Sequence, residues 1–93
     1  MESKNKLKKS FIILNDKGLH TRPATELVKC ASAFESQIFL VYQGLNVNAK
    51  CLLSILMLAV TRGAKIEIDA EGIDAEDAVA AIIELASAKF NIQ

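Results

Sequence analysis

One histidine, one proline and two cysteines are all that this 93-residue chain has of those residue types. The scarcity excludes several classes of function. Cys30 and Cys51 lack the close spacing of zinc ligands, and a single histidine cannot complete a set, so no metal site is expected. Two cysteines do not make a disulfide scaffold either. No apolar run reaches the roughly 18 residues needed to cross a bilayer. The longest, Cys51 to Val60, is broken by Ser54. The N-terminal stretch lacks the apolar run of a signal peptide. Internal repeats, linkers and low-complexity segments are missing as well. Net charge is zero, with eleven basic and eleven acidic side chains. Lys4, Lys6, Lys8 and Lys9 face only Glu2 in the first nine residues, which leaves seven basic and ten acidic groups for the rest. A mildly acidic body argues against nucleic-acid binding. Residues 1–7 are expected to be a basic, flexible lead and residues 8–93 a single domain. A hydrophobic content of 52% is enough for one core.

The lone histidine and the lone proline fall together in Gly18-Leu19-His20-Thr21-Arg22-Pro23-Ala24. Upstream, Phe11-Ile12-Ile13-Leu14 is a short apolar run, and Asn15-Asp16 and Gly18 are turn chemistry. Downstream, Ala24, Leu27, Val28 and Ala31 recur at the spacing of one helical face. Proline is tolerated in the first helical turn, where a missing N–H costs nothing. Pro23 therefore places a helix start at or next to His20. First-turn N–H groups have no intrahelical partner, so Thr21, Arg22 and Ala24 are expected to offer free donors. The helix dipole adds partial positive charge, and such an end holds a phosphate-sized anion. Arg22 adds a guanidinium able to grip two phosphate oxygens. The same positive end favours the neutral, nucleophilic form of His20. This is the environment of a histidine that accepts a phosphoryl group, although a lone histidine and arginine at a helix start are more often plain surface residues.

Strands are predicted at Lys9–Leu14, Gln37–Tyr42, Leu45–Ala49 and Lys65–Asp69, with a hairpin turn at Gln43-Gly44. Helices are predicted from His20 or Thr21 to about Phe34, from Cys51 to about Ala59, and after Asp74 as N-cap. Arg62-Gly63 is read as the end of the second helix. In the third helix Ala75, Ala78, Val79, Ile82, Leu85 and Ala86 form the buried face. The order is βαββαβα, an α+β two-layer open-faced sandwich with the helices on one sheet face. The second helix is apolar almost all round. If Ile55 and Leu58 face the sheet, then Leu52, Leu53 and Leu56 cannot all be buried with them. Cover by the first helix and a docking surface both satisfy that pattern.

Residues 18–24 resemble the active-site motif of HPr, the histidine phosphocarrier family of the bacterial phosphoenolpyruvate-dependent phosphotransferase system. The likeness continues through Asn48-Ala49-Lys50, Leu52 to Val60, Arg62-Gly63-Ala64 and Ala70-Glu71-Gly72, over about residues 8–88. It implies an antiparallel sheet in the order 1-4-2-3. It implies a cytoplasmic, monomeric carrier rather than an enzyme, with no cofactor. Enzyme I would donate a phosphoryl group to Nδ1 of His20, and an EIIA-type domain would receive it for sugar uptake or its regulation. Arg22 and the backbone N–H groups of Thr21, Arg22 and Ala24 would hold the phosphoryl oxygens, after a turn at Gly18. The resemblance also favours docking, on a face made by Thr21, Ala24, Lys29, Leu52, Leu53 and Leu56. Two positions depart from the family pattern. Cys51 stands where the family usually carries a serine phosphorylated by a dedicated kinase in low-GC Gram-positive members, and a thiol is not a substrate for a serine kinase. Lys17 stands where many sugar-system members carry asparagine. The alternatives are a regulatory, nitrogen-type relay protein that docks to enzymes or transcription factors according to its phosphorylation, and an interaction module in which His20 is incidental. Cys51, at a helix start beside Lys50, is expected to be the reactive thiol, and mid-helix Cys30 the shielded one.

Overall fold

A computed structural model describes residues 6–92. Four strands, β1 (Lys6–Ile12), β2 (Gln37–Tyr42), β3 (Leu45–Asn48) and β4 (Lys65–Glu71), form one sheet. Its order is β1-β4-β2-β3, and every neighbouring pair is antiparallel. The expected order and layering are those observed. β4 is central because it alternates cleanly: Ile66, Ile68 and Ala70 are buried, and the residues between them are not. β2 repeats the pattern with Ile38 and Leu40. These inward side chains meet α1 (Thr21–Ser32), the short α2 (Leu52–Leu56) and α3 (Ala75–Ser87). Leu27, Ile55 and Ile82 are fully buried at that junction. Burying each such aliphatic side chain is worth about 1.5–3 kcal/mol.

Several boundaries differ from those predicted. β1 begins three residues earlier and ends two earlier, because its length is set by its partner. Lys6 pairs with Glu71 and Ile12 with Lys65. Lys6 and Leu7, expected in the lead, therefore belong to the sheet; residues 1–5 of the lead lie outside the described residues. α2 stops at Leu56, not near Ala59. Ala59 takes a left-handed φ of 52°, which turns the chain out of the helix well before Arg62-Gly63. The Gly63 N–H instead donates to Ile13 O at 2.7 Å, closing the loop that leads into β4.

Asp74 stands at the N-cap position of α3, but its side chain caps nothing in that helix. Its carboxylate accepts the N–H groups of Glu35 and Ser36, both at 2.9 Å, and the hydroxyl of buried Ser36. The residue thus fastens the start of α3 to the entry of β2. These donors, the Ser36 hydroxyl first, hold its carboxyl below the ordinary carboxylate range.

Past α3 the chain makes a left-handed turn. Lys89, Phe90 and Asn91 have φ of 55°, 55° and 62°. Phe90 is fully buried and meets Phe11 edge-on, with ring centroids 6.2 Å apart.

Candidate functional site

The segment Ile13–His20 carries the chain from the edge strand to α1 and is pinned at several points. The Ile13 N–H donates to Ala64 O at 2.9 Å, and the Gly18 N–H closes a turn onto Asn15 O at 2.9 Å. The Leu19 N–H donates to Val60 O at 3.1 Å, and the Leu19 side chain is buried. His20 is thereby held as the N-cap of α1, in extended conformation and half-exposed. No side chain caps the helix. Thr21 and Arg22 are exposed, and their N–H groups have no bonded acceptor among the described residues. Pro23 is buried and has no N–H to give.

Ala24 requires a correction on both counts. Its N–H donates to His20 O at 2.9 Å, so it is the first bonded amide of the helix and not a free donor. Its side chain is fully buried in the core, so it cannot meet a partner.

A hollow of about 250 Å³ opens beside the helix start, lined by Asn15, Asp16, Lys17, His20, Arg22, Lys89 and Ile92. His20 and Arg22 share it, as the sequence spacing suggested. Among the described residues three cations line it, and the one carboxylate, Asp16, is paired to Arg62 at 3.1 Å in a solvent-exposed bridge. Asn15 is buried. Its Nδ2 donates to Lys89 O at 2.9 Å, and its Oδ1 has no partner among the described residues. Lys89 and Ile92 were invisible to sequence reasoning, because only the left-handed turn brings them back to the site.

The second cluster lies on α2. Leu53 is 69% exposed and Leu52 and Leu56 are half-buried, while Ile55 and Leu58 are buried as expected. Met57 is 73% exposed and was not anticipated, although its spacing of four from Leu53 puts the two on one face. Lys50 ties this region to the first helix: its Nζ donates to Phe34 O at 2.7 Å, just past the end of α1. Lys29 is exposed and paired only weakly, at 3.5 Å, to Glu26. Cys51 is exposed at the N-cap of α2, and the Ser54 hydroxyl donates to its Sγ at 3.2 Å. That hydrogen bond, helped by backbone N–H groups, pulls the thiol below its ordinary range. Burial pushes the half-buried Cys30 thiol up. Among the described residues no cluster of side chains could hold a metal ion, and no helix is long and apolar enough to cross a membrane.

A histidine at an uncapped helix start, with a guanidinium and two further cations around one small hollow on a small α+β sandwich, is an arrangement whose charge and free amides suit a phosphate-sized anion. The family model described as PTS HPr component phosphorylation site matches residues 7–88. The chain belongs to the HPr family, phosphocarriers of the phosphotransferase system that act as carriers rather than catalysts. Its structure is similar to HPr of Thermoanaerobacter tengcongensis, with 38% identity over 94% of this chain and 98% of that one, and a TM-score of 0.89. Phosphocarrier protein HPr of Bacillus anthracis matches at 36% identity, covering 87% and 96%, with a TM-score of 0.83. Crh of Bacillus subtilis, a catabolite repression protein crystallised as a swapped dimer, matches at 32% identity, covering 81% and 86%, with a TM-score of 0.72.

Proposed function

We propose that this chain accepts a phosphoryl group from phosphorylated enzyme I on Nδ1 of His20 and passes it to an EIIA-type domain. The Nδ1 lone pair forms a bond to phosphorus as the donor's bond to that phosphorus breaks. The second transfer reverses these roles, and the imidazole leaves unchanged. The protein's part is positioning and charge stabilisation, as in phosphoryl transfer generally. Arg22 grips two oxygens, and the N–H groups of Thr21 and Arg22 face the same charge. Partners dock on Thr21, Lys29, Leu52, Leu53 and Leu56, with Met57 extending the face. Cys51 occupies the regulatory-serine position, so control by a serine kinase is lost. The observation that carries the reading is the sharing of one cationic hollow by His20 and Arg22.

The test is incubation with phosphoenolpyruvate and a bacterial enzyme I. Acid-labile label is expected at His20 and none on His20→Ala. That variant should melt within about 1 kcal/mol of the wild type, since no capping bond is removed. An unlabelled wild type, or label persisting on His20→Ala, would sink the assignment. A second reading is a regulatory protein that docks to enzymes or transcription factors according to His20 phosphorylation; the similarity to Crh, a catabolite repression protein, supports its regulatory character and not its dependence on His20. It predicts that the phosphorylated chain binds a regulator more tightly than it binds any EIIA-type domain.

A further inference from the structure

Three consecutive non-glycine residues in the left-handed region are unfavourable, because each Cβ crowds the carbonyl that follows. Lys89, Phe90 and Asn91 adopt it, so the surrounding structure must hold them there. Two contacts do. Phe90 is locked in the core against Phe11, and buried Asn15 donates to the Lys89 carbonyl. Within the turn, the Asn91 N–H donates to Ala88 O and the Ile92 N–H to Lys89 O, both at 2.9 Å. The consequence is spatial. A lysine 69 positions after His20 lines the same hollow of about 250 Å³. Asn15 lines it too, so one side chain both holds the turn and walls the site.

We propose that Lys89 is a phosphoryl-contacting cation: when His20 carries a phosphoryl group, the Lys89 ammonium pairs with its oxygens. The proposal rests on the carrier reading above. It adds a residue supplied by the tail after α3 and aimed by a strained turn. Lysine suits the role because its ammonium sits on a four-carbon stem and acts as a compact point charge with three donors. Among the described residues the charged groups lining the hollow beside His20 are Asp16, Lys17, Arg22 and Lys89. Asp16 is engaged by Arg62, so Lys17 and Arg22 are the cations against which the effect of Lys89 is read. Asn15 is the positioning residue, acting through the Lys89 carbonyl.

The experiment is a ³¹P NMR pH titration of the enzymatically phosphorylated protein as wild type, Lys89→Gln and Lys89→Arg. A nearby cation favours the dianionic phosphoryl group. Its removal should raise the second phosphoryl pKa by about half a unit, the effect of one unit charge several ångströms away at a protein surface. Lys89→Gln should show that shift with an unchanged melting temperature, and Lys89→Arg should restore the wild-type value. A titration of Lys89→Gln superimposable on wild type would overturn the proposal. So would failure of Lys89→Arg to rescue, since that outcome assigns the effect to packing. Absence of any label on the wild-type protein would instead remove the carrier reading on which the proposal rests. The two failures are therefore distinguishable.

Discussion

Gly18→Ala separates two costs that are usually confounded. Gly18 has a φ of +71°, and a Cβ built there would lie 2.2 Å from Val60 O and 2.9 Å from Thr61 Cα. The left-handed conformation alone costs an alanine about 1–2 kcal/mol. Ordinary contact needs roughly 3.5 Å, so the Val60 carbonyl must retreat by more than 1 Å. That retreat breaks the Leu19 N–H to Val60 O bond, worth about 0.5–1.5 kcal/mol, and adds an overpacking strain of about 1–3 kcal/mol. The sum is about 2.5–6.5 kcal/mol, against a total stability of roughly 5–14 kcal/mol for a domain of this length. At about 4–8 °C per kcal/mol the melting temperature should fall by about 10–50 °C. Gly44→Ala is the control. Gly44 has a φ of +81° with nothing within 4 Å of the added carbon, so only the left-handed cost remains. Its melting temperature should fall by roughly 5–15 °C. Differential scanning calorimetry of both variants measures the steric contribution as their difference. Because Val60 anchors Leu19, Gly18→Ala should also slow acceptance of label at temperatures where it is folded, and Gly44→Ala should not. Equal losses of stability in the two variants would refute the reasoning.

Arg22→Lys keeps the charge but loses the planar fork, so transfer should slow on the order of tenfold, the worth of one charge-assisted hydrogen bond. Unchanged single-turnover rates with both partners would remove Arg22 from the mechanism. Cys51 should alkylate faster than Cys30 at pH 7–8, because the Ser54 hydroxyl stabilises its thiolate whereas burial disfavours that of Cys30. Ser54→Ala should slow the Cys51 reaction, and mass spectrometry showing preferential labelling of Cys30 would contradict the placement. Asp74 titrates lower in the folded chain than the ordinary 3.8, so its stabilising contribution is present above that value and is lost as pH falls through its folded-state value. Asp74→Asn should therefore melt lower than wild type at pH 7, and the gap should close on acidification; melting curves that stay parallel from pH 7 to strongly acid conditions would refute this.

The parts of the fold that were legible are those whose signal is local. Pro23 set the start of α1 because its constraint acts within one turn, and the α1 N-cap falls at His20 accordingly. β4 was legible because alternation needs only the strand itself, and β2 because its Ile-Phe-Leu-Val run suits a pleated surface. The same locality explains the errors. Asp74 satisfied every local criterion for a cap, yet its carboxylate is taken by Ser36, 38 positions upstream, where two backbone N–H groups and a hydroxyl converge. Ala24 was read both as a member of the apolar helical face and as a partner-facing residue with a free amide. In this structure the first role excludes the second, since a side chain buried in the core offers nothing to a partner. Its amide, the fourth after the cap, is the first that the helix can satisfy. For the site, the half built from Gly18 to Arg22 was readable because one turn and one helix start fix it. The half built from Asn15 and Lys89 was not. It depends on a bond between residues 74 positions apart and on a phenylalanine that holds a left-handed turn no spacing rule announces. A histidine at a helix start is therefore half a site, and the rest is decided by which distant segment the core folds back against it.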